Sequence, residues 1–339
     1  MTKPHQRLLV VQPLPGIGDM VWHLPHIRAL AHHAGGPVTL VAKPRSRADE
    51  IFAAEDTVRD IIWVDRNPKN ARGTHDGLLG LWRLIRTLRA GRFDAAALLH
   101  HSPSLAFATL AAGIPLRRGY GIGVQRWFLS QGPYLTNAVW RQHRPLQRAT
   151  LFLQAANIAI DEPEPRLPIA PAACQAMLQR LHDVERPLVV LGIGSSEPAR
   201  QWGAARFAAL ARALLDAGWP SLALVGGPGE APLQHDICAA LGKDAARIVP
   251  ALGWHLAETA ALLAEASFYV GNDTGVMNMA AAVGTRAYAL FGTTPALHHS
   301  PHIVPIVSPL GGPVDGVARL SLDAVLAIIE HDRCSLGPG

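Results

Sequence analysis

"YVGNDTGVMNMAAAVG", residues 269–284, passes from an apolar run through Asn272-Asp273-Thr274-Gly275 into a stretch of small and apolar residues. This is the pattern by which a buried strand of a parallel sheet hands its chain to a covering helix. Two roles fit the polar break. Asp273 or Thr274 can cap the helix, its oxygen accepting from the amide groups that every helix start leaves without partners. The same amides, with the helix dipole behind them and no Cβ on Gly275, can instead seat a phosphate or another anion. On this stretch alone both stay open.

Working outward, the first half of the chain alternates short apolar runs with amphipathic stretches. "RLLVVQ", "VTLVA", "DIIWV" and "AAALLH" are followed by helical patterns over 18–34, 46–55, 76–90 and 104–112. Continuous apolar strands alternating with helices signify a parallel sheet covered on both faces. "DEPEPRLPIAP", 161–171, breaks the pattern with proline and charge, as a linker does. The alternation resumes at "PLVVLGIGS" and runs through "SLALVGG", "ARIVPAL", "SFYVGND" and "RAYALFG". The expected fold is therefore α/β, two tandem doubly wound domains over 1–165 and 166–339, facing a central cleft between the C-terminal edges of their sheets. A length of 339 residues is also too great for one ordinary core.

Composition narrows the function classes. With 49% hydrophobic and 17% charged residues the chain is globular rather than disordered. No apolar run reaches the length of a membrane span, and the run near Met1 is short for a signal peptide, so no transmembrane segment and a cytoplasmic location are expected. Cys174, Cys238 and Cys334 are isolated, which argues against a disulfide framework or a zinc cluster. The net charge of +5 hides a division: residues 1–160 hold 20 Lys and Arg against 9 Asp and Glu, or +11, and residues 161–339 hold 11 against 17, or −6. The basic half suits an anionic partner. No nucleic-acid motif accompanies it, and nucleic acid is not expected as a partner.

Four loops that follow strands carry chemistry. In "PLPGIGDMVWHLP", 13–25, Gly16 and Gly18 lead to Asp19 at a helix start. The third glycine of a dinucleotide fingerprint is missing, and Asp19 would repel a pyrophosphate there. Asp19 is either a cap or a carboxylate aimed at a ligand. In "GIGSSEPARQW", 192–202, Ser195 and Ser196 supply hydroxyls and Arg200 a fork of donors for phosphate oxygens. "LVGGPGE", 224–230, allows close approach at Gly226 and Gly227, with Glu230 as an acceptor for a diol. With Asp273-Thr274-Gly275 as the fourth loop, the second half reads as a nucleoside diphosphate seat. Arg83, Arg86 and Arg89 recur every three residues in "LWRLIRTLRAGR", 81–92, either as a solvated helix face or as a surface for an anionic acceptor. The histidine pairs at 32/33, 100/101 and 298/299, together with His23 and His26, read as a surface trait, and no metal site is expected.

The ordered set "GDMVWHLP", "GIGSSEPARQW", "LVGGPGE" and "GNDTGVMNMAAAVGTRAYALFGTT", with "FDAAALLHHSPSLAFATLAAGIPLRRGYG" in the first half, resembles the heptosyltransferase family of bacterial glycosyltransferases. The resemblance spans essentially the whole chain. It implies a GT-B fold, an N-terminal acceptor domain, a C-terminal nucleotide-sugar domain, an inverting reaction without metal, and no cofactor, the ADP-heptose donor being a substrate. It implies Asp19 as general base, with Gly18 beside the acceptor. It implies Ser195, Ser196, Arg200 (where the family usually has lysine), Glu230, Asp273, Thr274 and Gly275 as donor contacts. At Asn278 the family commonly has histidine, and the asparagine is expected to offer its amide to a diphosphate oxygen from the first turn of its helix. The implied acceptor is an anionic lipopolysaccharide core at the inner leaflet, which leaves peripheral attachment to the inner membrane open, with Arg83, Arg86 and Arg89 as candidate acceptor contacts. No Asp-x-Asp pair, the usual holder of a magnesium diphosphate, occurs in the chain. A sugar-nucleotide epimerase of the same shape and a catalytically silent sugar-nucleotide-binding protein are the alternatives.

Overall fold

Every residue of Leu8–Val11 (β1) is buried, because helices cover both faces of the sheet in which this strand is central. The structure is a computed structural model and describes residues 7–67, 73–292, 295–308 and 316–336. The chain divides into two compact units, Met1–Pro165 and Arg166–Gly339. No helix or strand occurs over 161–170.

In the first unit β1 is followed by Ile17–Ala34 (α1), Val38–Ala42 (β2), Ala48–Ile51 (α2), Val58–Trp63 (β3), Gly77–Ala90 (α3), Ala95–Leu98 (β4), Pro103–Ala111 (α4), Leu116–Gly119 (β5), Asn137–Gln142 (α5) and Pro145–Ala155 (α6). All strands are parallel, in the order β3-β2-β1-β4-β5. Leu9, Val11, Ala96 and Leu98 point into one apolar cluster with Leu84 and Leu88 of α3 and Leu105 and Ala108 of α4. Right-handed crossovers place α1 on the opposite face, where it packs on α6. β5, α5 and α6 escape the sequence pattern. β5 is an edge strand carrying Arg117 and Arg118, a polar edge that discourages pairing with another chain.

The second unit begins with Pro171–Arg180 (α7) and continues through Leu188–Gly192 (β6), Ala204–Asp216 (α8), Ser221–Gly226 (β7), Ala231–Leu241 (α9), Ile248–Leu252 (β8), Leu256–Ala264 (α10), Phe268–Asn272 (β9), Gly275–Ala282 (α11), Ala287–Phe291 (β10), Ile303–Val307 (β11) and Leu322–Leu336 (α12). Its parallel order is β11-β10-β9-β6-β7-β8. β11 was also hidden in the sequence, because Pro305 interrupts it. Proline lacks a ladder donor and is tolerated at a sheet edge, where β11 lies, as is Pro250 in β8 at the opposite edge. Both halves are thus the doubly wound parallel α/β units that the alternation predicts.

The order of the second sheet reverses between β6 and β9, and the loops after these two strands emerge side by side. Gly192 and Gly271 pair across this seam. The ring of Tyr269, fully buried, leans along the strand and covers both glycines, so a Cβ on either would collide with its hydroxyl. A Cβ on Gly271 would also lie 2.6 Å from the Gly192 carbonyl oxygen, which is backbone and cannot move aside cheaply. Gly271→Ala should therefore destabilise the second unit by about 2 kcal/mol or more, the cost of overpacking a rigid site. Gly229→Ala, where a Cβ meets open space, should change stability by less than about 0.5 kcal/mol. Urea unfolding of both variants checks the contrast, and equal stabilities would contradict it.

Candidate active site

The side chain of Asn272 closes β9 and holds the β6 loop. Fully buried, its Nδ2 donates to the carbonyls of Ile193 (3.2 Å) and Gly194 (3.0 Å) and lies 3.2 Å from Gln201 Oε1, while its Oδ1 accepts from Trp202 N (3.2 Å). Gln201 completes the tie by donating to the Ile193 carbonyl (2.9 Å) and accepting from Gly203 N (3.1 Å). The loop of 193–203 is thereby fixed against the start of α11, at the switch point where open parallel sheets bind ligands.

Thr274 is the N-cap of α11, and its side chain makes no capping hydrogen bond. Of the two roles open for the polar break, capping by Thr274 is therefore not the one it plays. Asp273, almost buried, places Oδ2 3.7 Å from Arg200 Nη1, and Glu197 places Oε1 3.1 Å from Arg200 Nη2. Arg200 sits at the end of the short turn Pro198–Arg200. The two carboxylates aim its guanidinium, whose buried Nε makes no hydrogen bond among the described residues. Burial holds the Tyr269 phenol above its usual range, so the hydroxyl next to Thr274 stays neutral.

Ser195 N donates to Glu230 Oε1 (3.4 Å), so the structure brings the β6 and β7 loops together as well. Glu230 ends the turn Pro228–Glu230 and folds its carboxylate back over Gly226 and Gly227, whose missing side chains make room for it. The Ser195 hydroxyl is turned into its own loop, donating to the Glu197 carbonyl (2.8 Å), and Ser196 is exposed. Asn278, in α11, is buried, and its Nδ2 donates to the Thr274 carbonyl (3.0 Å). One of its two amide hydrogens thus supports the loop backbone.

In the first unit Asp19 is the third residue of α1, and its Oδ2 accepts from Gly16 N (3.1 Å). The carboxylate caps the helix start and, half-buried, keeps further acceptor positions beyond this bond. Gly16 lacks a side chain because a Cβ there would lie 2.7 Å from that oxygen. Gly18, beside it, is buried. Behind them the Asp19 carbonyl accepts from Gln12 Nε2 (3.3 Å) and from His23 Nδ1 (2.6 Å), while Gln12 Oε1 accepts from Leu14 N (3.0 Å). A carbonyl can only accept, which fixes the proton on Nδ1. His23 Nε2 is buried with no hydrogen-bond partner among the described residues.

One sequence expectation changes here. His23 and His26 are buried and not a surface trait: His26 Nε2 pairs with Thr150 Oγ1 of α6 at 2.8 Å. Among the described residues no three His, Cys, Asp or Glu side chains gather as a metal-binding group. Arg83, Arg86 and Arg89 are exposed along α3, which runs from the C-terminal edge of the sheet back to its N-terminal edge. Arg89 reaches the carbonyl of Ala111 at the far end of α4 (3.1 Å), so the stripe leads away from the edge that holds Asp19 and is not gathered with it. Reasoning from sequence assigned no role to Asn272, Gln201, Glu197, Tyr269 or Gln12. The available signal was a polar residue ending an apolar strand, at Gln12 after β1 and Asn272 in β9.

Residues 81–306 match the family model "Glycosyltransferase family 9 (heptosyltransferase)". Lipopolysaccharide heptosyltransferase 2 of Escherichia coli K12 is 26% identical over 244 residues, which cover 67% of this chain and 69% of that protein. The glycosyl transferase family 9 structure from Veillonella parvula superposes with a TM-score of 0.78 at 19% identity, covering 98% of both chains. The Escherichia coli heptosyltransferase solved with ADP-2-deoxy-2-fluoro heptose gives 0.73 at 19%, covering 96% of this chain and 100% of that one. These likenesses establish the GT-B fold. No helix among the described residues is long and apolar enough to cross a membrane.

Asn272→Ala should cost about 2–4 kcal/mol, since the Gly194 carbonyl and the Trp202 amide lose partners worth about 1–3 kcal/mol each, while the Ile193 carbonyl keeps its bond from Gln201. A loss under about 1 kcal/mol in urea unfolding would contradict the clamp. Burial pushes His23 down to about 4, and burial followed by repulsion from neighbouring cations does the same to His100. In the fold these rings are neutral, whereas in the unfolded chain they bind protons below about pH 6.5. Stability of the first unit should hold above that pH and fall as pH drops towards 4, by at most about 1.4 kcal/mol per pH unit for the fully buried His23. Unfolding of His23→Gln across this range should show a slope smaller by about one proton.

Proposed function

Because the chain belongs to glycosyltransferase family 9, the heptosyltransferases, we propose that it transfers a heptose or related sugar from an ADP-sugar to a lipopolysaccharide-core acceptor, with inversion and without a metal ion. The observation that carries the donor half is the α11 N-terminus, uncapped by Thr274 and joined by Asn272 to the loop that carries Arg200. Backbone amides at a helix start, backed by the dipole and a guanidinium, suit a diphosphate. Glu230, held beside Gly226 and Gly227, would accept from the ribose diol. The Escherichia coli heptosyltransferase solved with ADP-2-deoxy-2-fluoro heptose supports the same donor class. The absence of an Asp-x-Asp pair supports a reaction in which protein groups, not a metal, meet the diphosphate.

In that reaction Asp19 takes the proton of the acceptor hydroxyl as its oxygen attacks the anomeric carbon. The bond from that carbon to the phosphate oxygen breaks on the opposite face, and ADP leaves with the electron pair. Its growing charge falls on the α11 amides and Arg200, which favour the transition state over the bound donor. The Gly16 amide holds the carboxylate in direction, and Gln12 with His23 holds the backbone beneath it.

Asp19→Asn should leave ADP affinity unchanged and lower turnover about 100-fold or more, the usual worth of a general base. The assay follows ADP release from ADP-heptose in excess EDTA, with and without acceptor. Release without acceptor would point to an epimerase or hydrolase, and turnover near normal in the variant would leave Asp19 a cap.

A further inference from the structure

Nine large apolar side chains stand out as exposed among the described residues, and seven of them lie on α3, on α4 and on the short turn Gly123–Phe128 of the first unit. A globular surface rarely gathers such residues without an occupant. Leu78 is 88% exposed, Trp82 51% and Trp127 79%, with Leu79, Leu110 and Val124 among them.

These elements form one continuous face. α3 and α4 lie side by side. Arg66 joins their N-terminal ends, placing Nη1 2.6 Å from Ser104 Oγ and Nε 3.8 Å from Asp76 Oδ1, and Arg89 joins their C-terminal ends. The turn packs on α4, with Phe128 edge-on to Phe107 at 5.5 Å between ring centres. Leu84 and Leu88 point inward, so the outward residues are surplus to the core.

The charge on this face is predominantly positive, Asp76 at the start of α3 being paired with Arg66. Residues 77–132 contain seven arginines, at 83, 86, 89, 92, 117, 118 and 126, and a single acid, Asp94, a net of +6. α3, α4 and the turn contain no Asp or Glu. Arg86 lies over the Trp82 ring at 4.7 Å, and Arg126 over the Tyr134 ring at 4.7 Å. Tryptophan beside arginine is the composition of a membrane interface, where the ring enters the headgroup layer and the guanidinium meets phosphate.

We propose that this α3–α4 face is the membrane-docking surface of the chain, seated on an anionic phospholipid bilayer with Leu78, Trp82 and Trp127 in the headgroup layer and Arg83, Arg86 and Arg126 on lipid phosphates. The large net positive charge selects this occupant over a second copy of the chain, because two such faces would repel. The inference deepens the transferase proposal by seating the enzyme where a lipid-borne acceptor lies, but it needs neither donor nor acceptor to be tested.

The test is co-sedimentation of the full-length chain with vesicles of phosphatidylcholine alone and with added phosphatidylglycerol, both free of lipopolysaccharide. Partitioning should be at least about tenfold stronger on the anionic vesicles and weaken with salt. Combining Arg83→Gln, Arg86→Gln and Arg126→Gln should lower it on the order of 100-fold at low salt. Trp82→Ser with Trp127→Ser should also lower it at least about tenfold, and a blue shift of tryptophan fluorescence on binding should shrink in Trp82→Phe with Trp127→Phe. These substitutions are at exposed positions and leave the core intact. Absence of binding, or equal binding to neutral vesicles, would overturn the proposal. So would a dimer in sedimentation velocity that Trp82→Ser with Trp127→Ser abolishes, which would assign the face to a second copy.

Discussion

Four hydrogen-bonding contacts made by one buried amide, that of Asn272, fix the geometry on which the donor proposal depends. A parallel sheet whose order reverses leaves a gap between two loops, and side chains must span it. An asparagine at the end of β9 offers both donor and acceptor to the backbone of the β6 loop, which a carboxylate or an apolar residue cannot do. The paired glycines beneath the buried Tyr269 let the strand ends close on one another. Arg200 then comes within reach of Asp273 without either residue being near the other in sequence.

The first unit solves the matching problem with Gln12 at the end of β1. Its amide and the His23 ring support the carbonyl of Asp19, while the Gly16 amide holds the carboxylate. Capping does not compete with the role of base proposed for this residue, because a carboxylate fixed by one hydrogen bond is better aimed than a free one. The buried, neutral histidines beneath it connect this arrangement to acid stability.

Where the sequence was informative, one residue type had one physical use. Fully apolar runs could only be covered parallel strands, and glycines after strands marked close backbone approach, so the two doubly wound units were legible before any coordinates. β5 and β11 were not: Arg117 and Arg118 fill the middle of β5, and Pro305 stands at the centre of β11. Thr274 and Asp273 were legible as a helix start, but whether Thr274 caps it turned on a side-chain bond that sequence does not encode. His23 and His26 looked like surface residues because polarity was read without the packing of α1 on α6. Asn278 was legible as a polar residue of α11, but the bond from its amide to the Thr274 carbonyl was not, because it depends on the rotamer.

The central claim is that the switch point of the second sheet is the seat of the donor nucleotide. Hydrogen exchange of the whole protein with and without ADP measures it directly, since amides that bind phosphate, and loops ordered by it, exchange more slowly. Protection by ADP is expected in 193–203, 226–231 and 273–278, and nowhere to a comparable degree in the first unit. Protection centred on another part of the chain, or none at saturating ADP, would contradict it.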